Sequence, residues 1–252
     1  MGFLKEWRRR RILARTPLSD RLWQRAIARS HLLAHLSDED RQRLRELVTL
    51  FLHDKQIHAT GDLQLDDEMR VSIALQACIL ILNLGLDYYS GWVEIIVYPD
   101  EFIPEREVVD EAGVVHIARE PLSGEAWLQG PIILSWADVA DAVDGSNVVI
   151  HDFAHKIDML NGDANGFPPL HRHMNRGIWA QAFSAAYEDF CQRSDAGEET
   201  AIDPYAAESP GEFFAVLSEA FFEMPETVRD EYPLVYDQLV QFYRQQPLAG
   251  KA

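Results

Sequence analysis

Apolar positions recur with a helical period through the first eighty residues. Ser19 can cap a helix whose apolar positions Leu22, Ala26 and Leu33 lie near one face, and Ser37 with Asp40 resembles a capping box ahead of Leu44, Leu47, Val48 and Phe51. Asp66 or Asp67 opens a third helix through Met69, Ile73, Ala77 and Leu80. Its apolar run over 73–86 is broken by Gln76 and Asn83 and falls short of the roughly 20 residues that a membrane helix needs, so a buried core helix is predicted. The period then changes. Residues 91–98 (GWVEIIVY), 113–118 (GVVHIA) and 131–136 (PIILSW) are β-branched or apolar runs bounded by turn residues, which predicts a small sheet of three or four strands. Helical patterning returns over 137–143, 147–160, 177–193, 210–222 and 231–245. Helix runs on both sides of a few strands, without regular βαβ alternation, predict an α+β fold. Neither a repeat nor a low-complexity linker interrupts the chain, so one domain over 1–252 is expected, with residues 1–60 as a helical N-terminal extension packed on it.

Composition narrows the function classes. With 47% apolar and 25% charged residues, the 252-residue chain can bury a full core, which excludes disorder as the dominant state. The net charge of −18 repels phosphates and anionic lipid, so neither a nucleic-acid nor a membrane partner is expected. The charge is also uneven. Residues 1–45 hold 12 basic and 5 acidic side chains, net +7, and the remainder carries −25. The arginine run at 8–11 is followed by no apolar segment of the secretory kind and is expected to dock on the acidic body. Cys78 and Cys191 stand far apart without a metal-binding motif, which points to a reducing compartment, the cytoplasm.

The sharpest local signal is His151-Asp152-Phe153-Ala154-His155, inside a helical pattern. Two histidines four apart lie one turn apart on nearly the same face, so both imidazoles can reach one metal ion. An acid directly after the first histidine can take a proton from a metal-activated water. Nine histidines in this length yield such a spacing about 0.3 times by chance, and about 0.05 times once the acid is required. His31 and His35 share the spacing but have Leu32 at the acid position, and are read as surface or core histidines. Spacing alone leaves the third ligand open among His171, His173, Glu208, Glu212, Glu219 and Glu223. Asp158 shares the helical face of the pair and is a candidate to orient an imidazole. The loops at 161–169 and 194–201 are candidates to cover a cleft.

The blocks VVIHDFAHKIDMLNG, DPYAAESPGEFFAVLSEAFFEMPE and YDQLVQFYRQQPL, together with DEMRVSIALQACILIL and GWVEIIVYPDEF, resemble the Mlc titration factor A family of zinc peptidases. These are bacterial zincins distantly similar to the catalytic domain of anthrax lethal factor. The resemblance implies a zincin-like domain that holds Zn²⁺ through His151, His155 and Glu212, with Tyr205 pointing at the metal site. Asp152 then stands where the family pattern has glutamate, one methylene longer. The implied function is a zinc-dependent, aminopeptidase-like hydrolysis of short peptides, with Asp152 and Tyr205 catalytic. The family name also implies an alternative, a regulatory protein that binds a transcriptional repressor of sugar uptake through an attenuated or inactive zinc site.

Overall fold

A computed structural model describes residues 3–100, 105–109, 115–119, 124–126, 130–140 and 146–249. In chain order the helices are α1 (Phe3–Arg15), α2 (Asp20–Arg29), α3 (Asp38–Asp54), α4 (Asp67–Leu80), α5 (Trp136–Ala140), α6 (Val148–Asp158), α7 (Arg176–Asp195), α8 (Pro210–Glu223), α9 (Pro225–Glu231) and α10 (Pro233–Tyr243). The strands are β1 (Gln56–Ala59), β2 (Glu94–Tyr98), β3 (Glu105–Val109), β4 (Val115–Arg119), β5 (Gly124–Ala126) and β6 (Ile132–Ser135). Helices predominate and the sheet is small, which makes the fold α+β.

The predicted caps account for the helices that frame the site. Ser19, Ser37 and Asp66 accept the backbone N–H groups of Leu22, Asp40 and Met69 at 3.3, 3.1 and 2.8 Å, so α2, α3 and α4 each start on an oxygen that satisfies an otherwise orphaned donor. Between these caps and the helix ends, apolar side chains turn inward. Ile73, Ala74, Ala77, Cys78, Ile79 and Leu80 of α4 are fully buried, as a core helix requires. No helix among the described residues is long and apolar enough to cross a membrane.

The main sheet has the order β1-β2-β6-β5, with β1, β2 and β6 parallel and β5 antiparallel on β6. Ile95 and Val97 of β2, with Ile132 and Leu134 of β6, bury one face against the helices. Strand β1 departs from the sequence reading, which held no strand there. In QIHA only Ile57 is buried, and four residues with one inward side chain leave no alternation to read. Its discovery makes β1-α4-β2 a parallel crossover. The run 113–118 was expected in the small sheet. Its described part belongs to β4, which pairs antiparallel with β3 in a separate two-stranded ribbon. Residues 113–114 and the end of the predicted helix 137–143 lie outside the described residues. The strand predicted over 91–98 begins only at Glu94, because Gly91 takes φ 96° in a turn.

The basic head does meet acidic groups of the body. Lys5 pairs with Asp87, and Arg9 and Arg8 lie 3.8 Å from Asp87 and Asp54. These side chains are largely exposed, so each pair contributes well under about 1 kcal/mol. Burial does more. Ile12, Leu18, Trp23, Leu32 and Leu33 join the same apolar cluster as α4 and α6, and a large buried side chain is worth about 2–3 kcal/mol.

The segment from 162 to 169 is fastened rather than free. Gly166 donates its N–H to Asp158 Oδ2 at 2.7 Å and accepts from Trp179 Nε1 at 3.0 Å. At φ 75°, it brings the loop so close to α8 that an added Cβ would stand 2.5 Å from the Pro210 carbonyl oxygen. Gly211 makes the reciprocal approach, with the Ala164 carbonyl 2.7 Å from the place of a Cβ. The loop therefore sets where α8 begins. Gly166→Ala is expected to cost about 2–3 kcal/mol in urea unfolding, from the collision and the strained φ together. Gly197→Ala, at φ 71° with nothing within 4 Å, is expected to cost about 1 kcal/mol.

Candidate metal centre

Helix α6 starts on Asn147, whose Oδ1 accepts the Ile150 N–H at 3.0 Å. It packs among α4, α8 and the sheet, so almost its whole circumference is buried. Asp152, His155, Lys156 and Asp158 are each no more than 6% exposed. Four polar side chains sunk in so short a helix require partners.

Helix α8 supplies the principal one. It is capped by Ser209, whose Oγ accepts the Glu212 N–H at 3.1 Å, and Pro210 follows in the first turn. Glu212 holds the third helical position, where a capping-box glutamate would turn back to the cap. Its Oε2 lies instead 3.1 Å from His151 Nε2 and 3.0 Å from His155 Nε2. The two Nε2 atoms are 3.2 Å apart. Three donor atoms thus form a nearly equilateral triangle.

This triangle fits a small divalent cation. Zinc bonds of about 2.0–2.2 Å in tetrahedral array place ligand atoms roughly 3.3–3.6 Å apart, slightly wider than the separations observed. Charge leads to the same fit. Asp152, Glu212 and Glu219 gather around the two imidazoles, three carboxyl groups in a largely buried place. A proton on His151 can answer part of that charge. Burial opposes a charged His151, but hydrogen bonds to Glu212 and Glu219 overcome it and hold the imidazole at about 10. Burial likewise opposes ionisation of Glu212, and its hydrogen bonds to His151 and His155 prevail, lowering it to about 2.

Asp152 is 2% exposed, and its Oδ2 is buried without a hydrogen-bond partner. Burial pushes its carboxyl up to about 8; His151 opposes the shift, while Glu212 and Glu219 add to it. Tyr205 stands beside the pair, its ring 6.0 Å from that of His151 and 41% exposed. It sits in a short 3₁₀ turn over Pro204–Ala207 that Asp203 caps.

The other sequence candidates go elsewhere. Glu219 lies at the opposite nitrogen of the imidazole, its Oε2 3.3 Å from His151 Nδ1. It is two turns after Glu212 on the same face of α8, a spacing that could have signalled an orienting carboxylate. Glu223 contacts Asn147 and His31. Asp158 holds the loop at Gly166, as described, and burial raises its carboxyl against that hydrogen bond. His171 hydrogen-bonds the Phe242 carbonyl at 2.7 Å and stacks on His173. Glu208 is exposed at the end of the 3₁₀ turn. His31 lies in a 3₁₀ turn with its side chain mostly exposed, outside any α-helix.

Comparison with known proteins agrees with this geometry. The chain is 41% identical over 247 residues to Mlc titration factor A of Cronobacter sakazakii, an alignment that covers 96% of this chain and 91% of that protein. It is 41% identical over 237 residues to Mlc titration factor A of Salmonella arizonae, covering 92% and 94%, and 42% identical over 234 residues to that of Pectobacterium atrosepticum, covering 90% and 87%. The family described as glucose-regulated metallo-peptidase M90 matches residues 4–244, a span that takes in both α6 and α8. With both helices of the candidate centre inside that match, the chain belongs to the glucose-regulated metallo-peptidase M90 family.

Proposed function

We propose that this protein is a zinc-dependent peptidase of zincin type, aminopeptidase-like on short peptides, with His151, His155 and Glu212 as the ligands. The observation that carries this reading is the convergence of His151 Nε2, His155 Nε2 and Glu212 Oε2, in a member of a metallo-peptidase family. Zinc would supply Lewis-acid polarisation of a carbonyl and activation of water near neutral pH. The chain's own residues do the rest. Asp152 accepts a proton at its carboxylate and returns it to the departing amine, a task suited to a buried carboxyl whose proton affinity is raised. Tyr205 donates a hydrogen bond to the oxygen that gains negative charge. Glu219, at His151 Nδ1, keeps the proton there and directs Nε2 to the ion. Among the described residues strand β5 ends the sheet and packs beside α6, so its backbone offers an edge on which an extended peptide can pair. The proposed location is the cytoplasm, in keeping with free thiols at Cys78 and Cys191.

A second reading is favoured by Asp152 and by the relatives' name. In it the chain binds a transcriptional repressor, as a titration factor for Mlc would, and hydrolyses slowly or not at all. An aspartate reaches about 1 Å less far than glutamate, and a misplacement of that size at a catalytic group costs on the order of 10²-fold. Zinc binding survives that change, since position 152 is not among the three donor atoms.

Metal analysis and a chromogenic aminoacyl-substrate assay separate the readings. The protein should purify with about one zinc per chain. His155→Ala and Glu212→Ala should lose it, and undiminished zinc in His155→Ala would sink the ligand assignment. Asp152→Ala should keep the metal and lose about 10²-fold or more in hydrolysis. Asp152→Glu should gain activity. If neither the native protein nor Asp152→Glu cleaves any substrate, repressor binding becomes the leading reading.

Zinc uptake should also depend on pH. His151, held at about 10, is protonated at neutral pH in the metal-free protein, so the entering ion must displace that proton. Calorimetry in two buffers of different ionisation enthalpy should show release of between one and two protons per zinc near pH 7.5, one from His151 and part of one from Asp152, with affinity rising at least about tenfold per pH unit. An affinity flat between pH 6.5 and 8.5 would contradict this.

A further inference from the structure

Behind the triangle of donor atoms lies a second polar cluster, of which the proposed chemistry uses only Glu219. Glu219 and Glu223 follow one turn apart on α8, with side chains 10% and 3% exposed. Two carboxylates so buried and so near each other repel, and each persists only while donors hold it. Asn147 serves both. Its backbone N–H donates to Glu219 Oε1, and its Nδ2 donates to Glu223 Oε1 at 2.7 Å. The remaining oxygens point in opposite directions. Glu219 Oε2 meets His151 Nδ1, and Glu223 Oε2 hydrogen-bonds His31 Nε2. An unbroken path His31–Glu223–Asn147–Glu219–His151 therefore joins the N-terminal helical segment to the rear of an imidazole whose other nitrogen faces Glu212.

The two ends of this path differ in solvent access. His31 is 63% exposed at its side chain, and with Glu223 and Asn147 it lines a cavity of about 450 Å³ whose walls include Leu22 and Ala26 of α2 and Leu75 of α4. The inner end is largely buried, with the His151 and Glu219 side chains 15% and 10% exposed. A metal-ligating imidazole must keep its proton on the nitrogen away from the ion, and a carboxylate at that nitrogen fixes both tautomer and ring orientation. Glu219 does this only while its own carboxylate is fixed. Its second oxygen depends on the Asn147 N–H, and the Asn147 side chain, which caps α6 through Oδ1, is held at Nδ2 by Glu223.

We propose that Glu223, Asn147 and His31 are positioning residues for the metal centre. They act through Glu219, so the contact between His31 and Glu223 governs how tightly His151 holds the ion. This inference rests on the metal reading above and adds to it a point of control: any molecule that enters the cavity and draws His31 from Glu223 loosens the metal.

The test is zinc affinity, measured by competition with a chromogenic chelator on the full chain. Glu219→Gln should weaken binding about 10- to 100-fold, the range for an orienting carboxylate. Glu223→Ala should weaken it about tenfold and His31→Ala about threefold. Glu223→Gln should return to within about twofold of the native protein, because an amide can accept from Asn147 and donate to His31. In the Glu219→Gln background, Glu223→Ala should add no more than about twofold, since both act on the same nitrogen. The visible spectrum of the cobalt-loaded protein should change in Glu223→Ala and recover in Glu223→Gln, whereas a merely structural role would lower the metal-free melting temperature and leave that spectrum alone. Native affinity in Glu223→Ala, or multiplying effects in the double variant, would overturn the proposal. Should Glu223→Ala fail to fold, His31→Ala at its exposed position decides: native affinity there overturns the proposal as well. A native chain that takes up no zinc overturns the metal reading itself, and a native chain that binds zinc normally while these variants match it overturns only the present inference.

Discussion

Acidic side chains buried where α6 meets α8 are the constraint around which the rest of this molecule is arranged. Asp152 is 2% exposed and the Glu219 side chain 10%, and Glu212 sits directly on the imidazoles. Each ionised group withdrawn from water costs several kcal/mol unless hydrogen bonds and opposite charge answer it. The answers are specific: two imidazoles for Glu212, the Asn147 N–H for Glu219, and the N–H of Gly166 for Asp158. The glycines at 166 and 211 let the loop after α6 lie close against the start of α8, where a Cβ on either would strike a backbone carbonyl of the other segment. Aromatic packing buries the remaining sides of α8. Phe213, Phe214, Phe221 and Phe222 are all at most 4% exposed.

The local half of this arrangement was legible in the sequence. Capping residues, the apolar run of α4 and the four-residue spacing of His151 and His155 are all short-range patterns, and a helix converts that spacing directly into two neighbouring Nε2 atoms. The other half depends on how distant segments meet. Glu212 is 57 residues from His155, and no periodicity separates it from the five other candidates. Similarity to the peptidase family singled it out. Glu219 illustrates the same limit: as a residue type it was a candidate ligand, but the rotation of α8 delivers it to the rear nitrogen of His151. Strand pairing was equally hidden. The run around 115–119 reads as a strand, yet nothing within it says that its partner is β3. Strand β1 escaped because one inward side chain makes no pattern, and its pairing with β2 turned the third predicted helix into a crossover.

The opposed charges of head and body look at first like the force that joins them. The structure gives them a smaller part. The arginine run does reach Asp54 and Asp87, but those contacts are exposed and screened, while Ile12, Trp23, Leu32 and Leu33 are buried in the common core. Charge helps to choose the docking face and burial holds it. The consequential polar contact of this segment is His31 with Glu223, since it ends on a carboxylate 3% exposed rather than on a solvated one.

Asp152 draws these threads together. A buried carboxyl raised to about 8 is a strong proton acceptor once ionised, and a divalent cation beside it would favour the ionised form. The same burial that raises its basicity also fixes where it can reach, and the shorter side chain limits that reach further. Basicity and reach therefore act against each other at this position. If reach dominates, the metal is bound and turnover is slow, the condition in which a peptidase fold serves best as a binding protein. If basicity dominates, the aspartate works through a water displaced towards it. Lengthening residue 152 by one methylene changes reach while leaving the Glu212 and Glu219 carboxylates around it in place, so that single substitution separates the two effects.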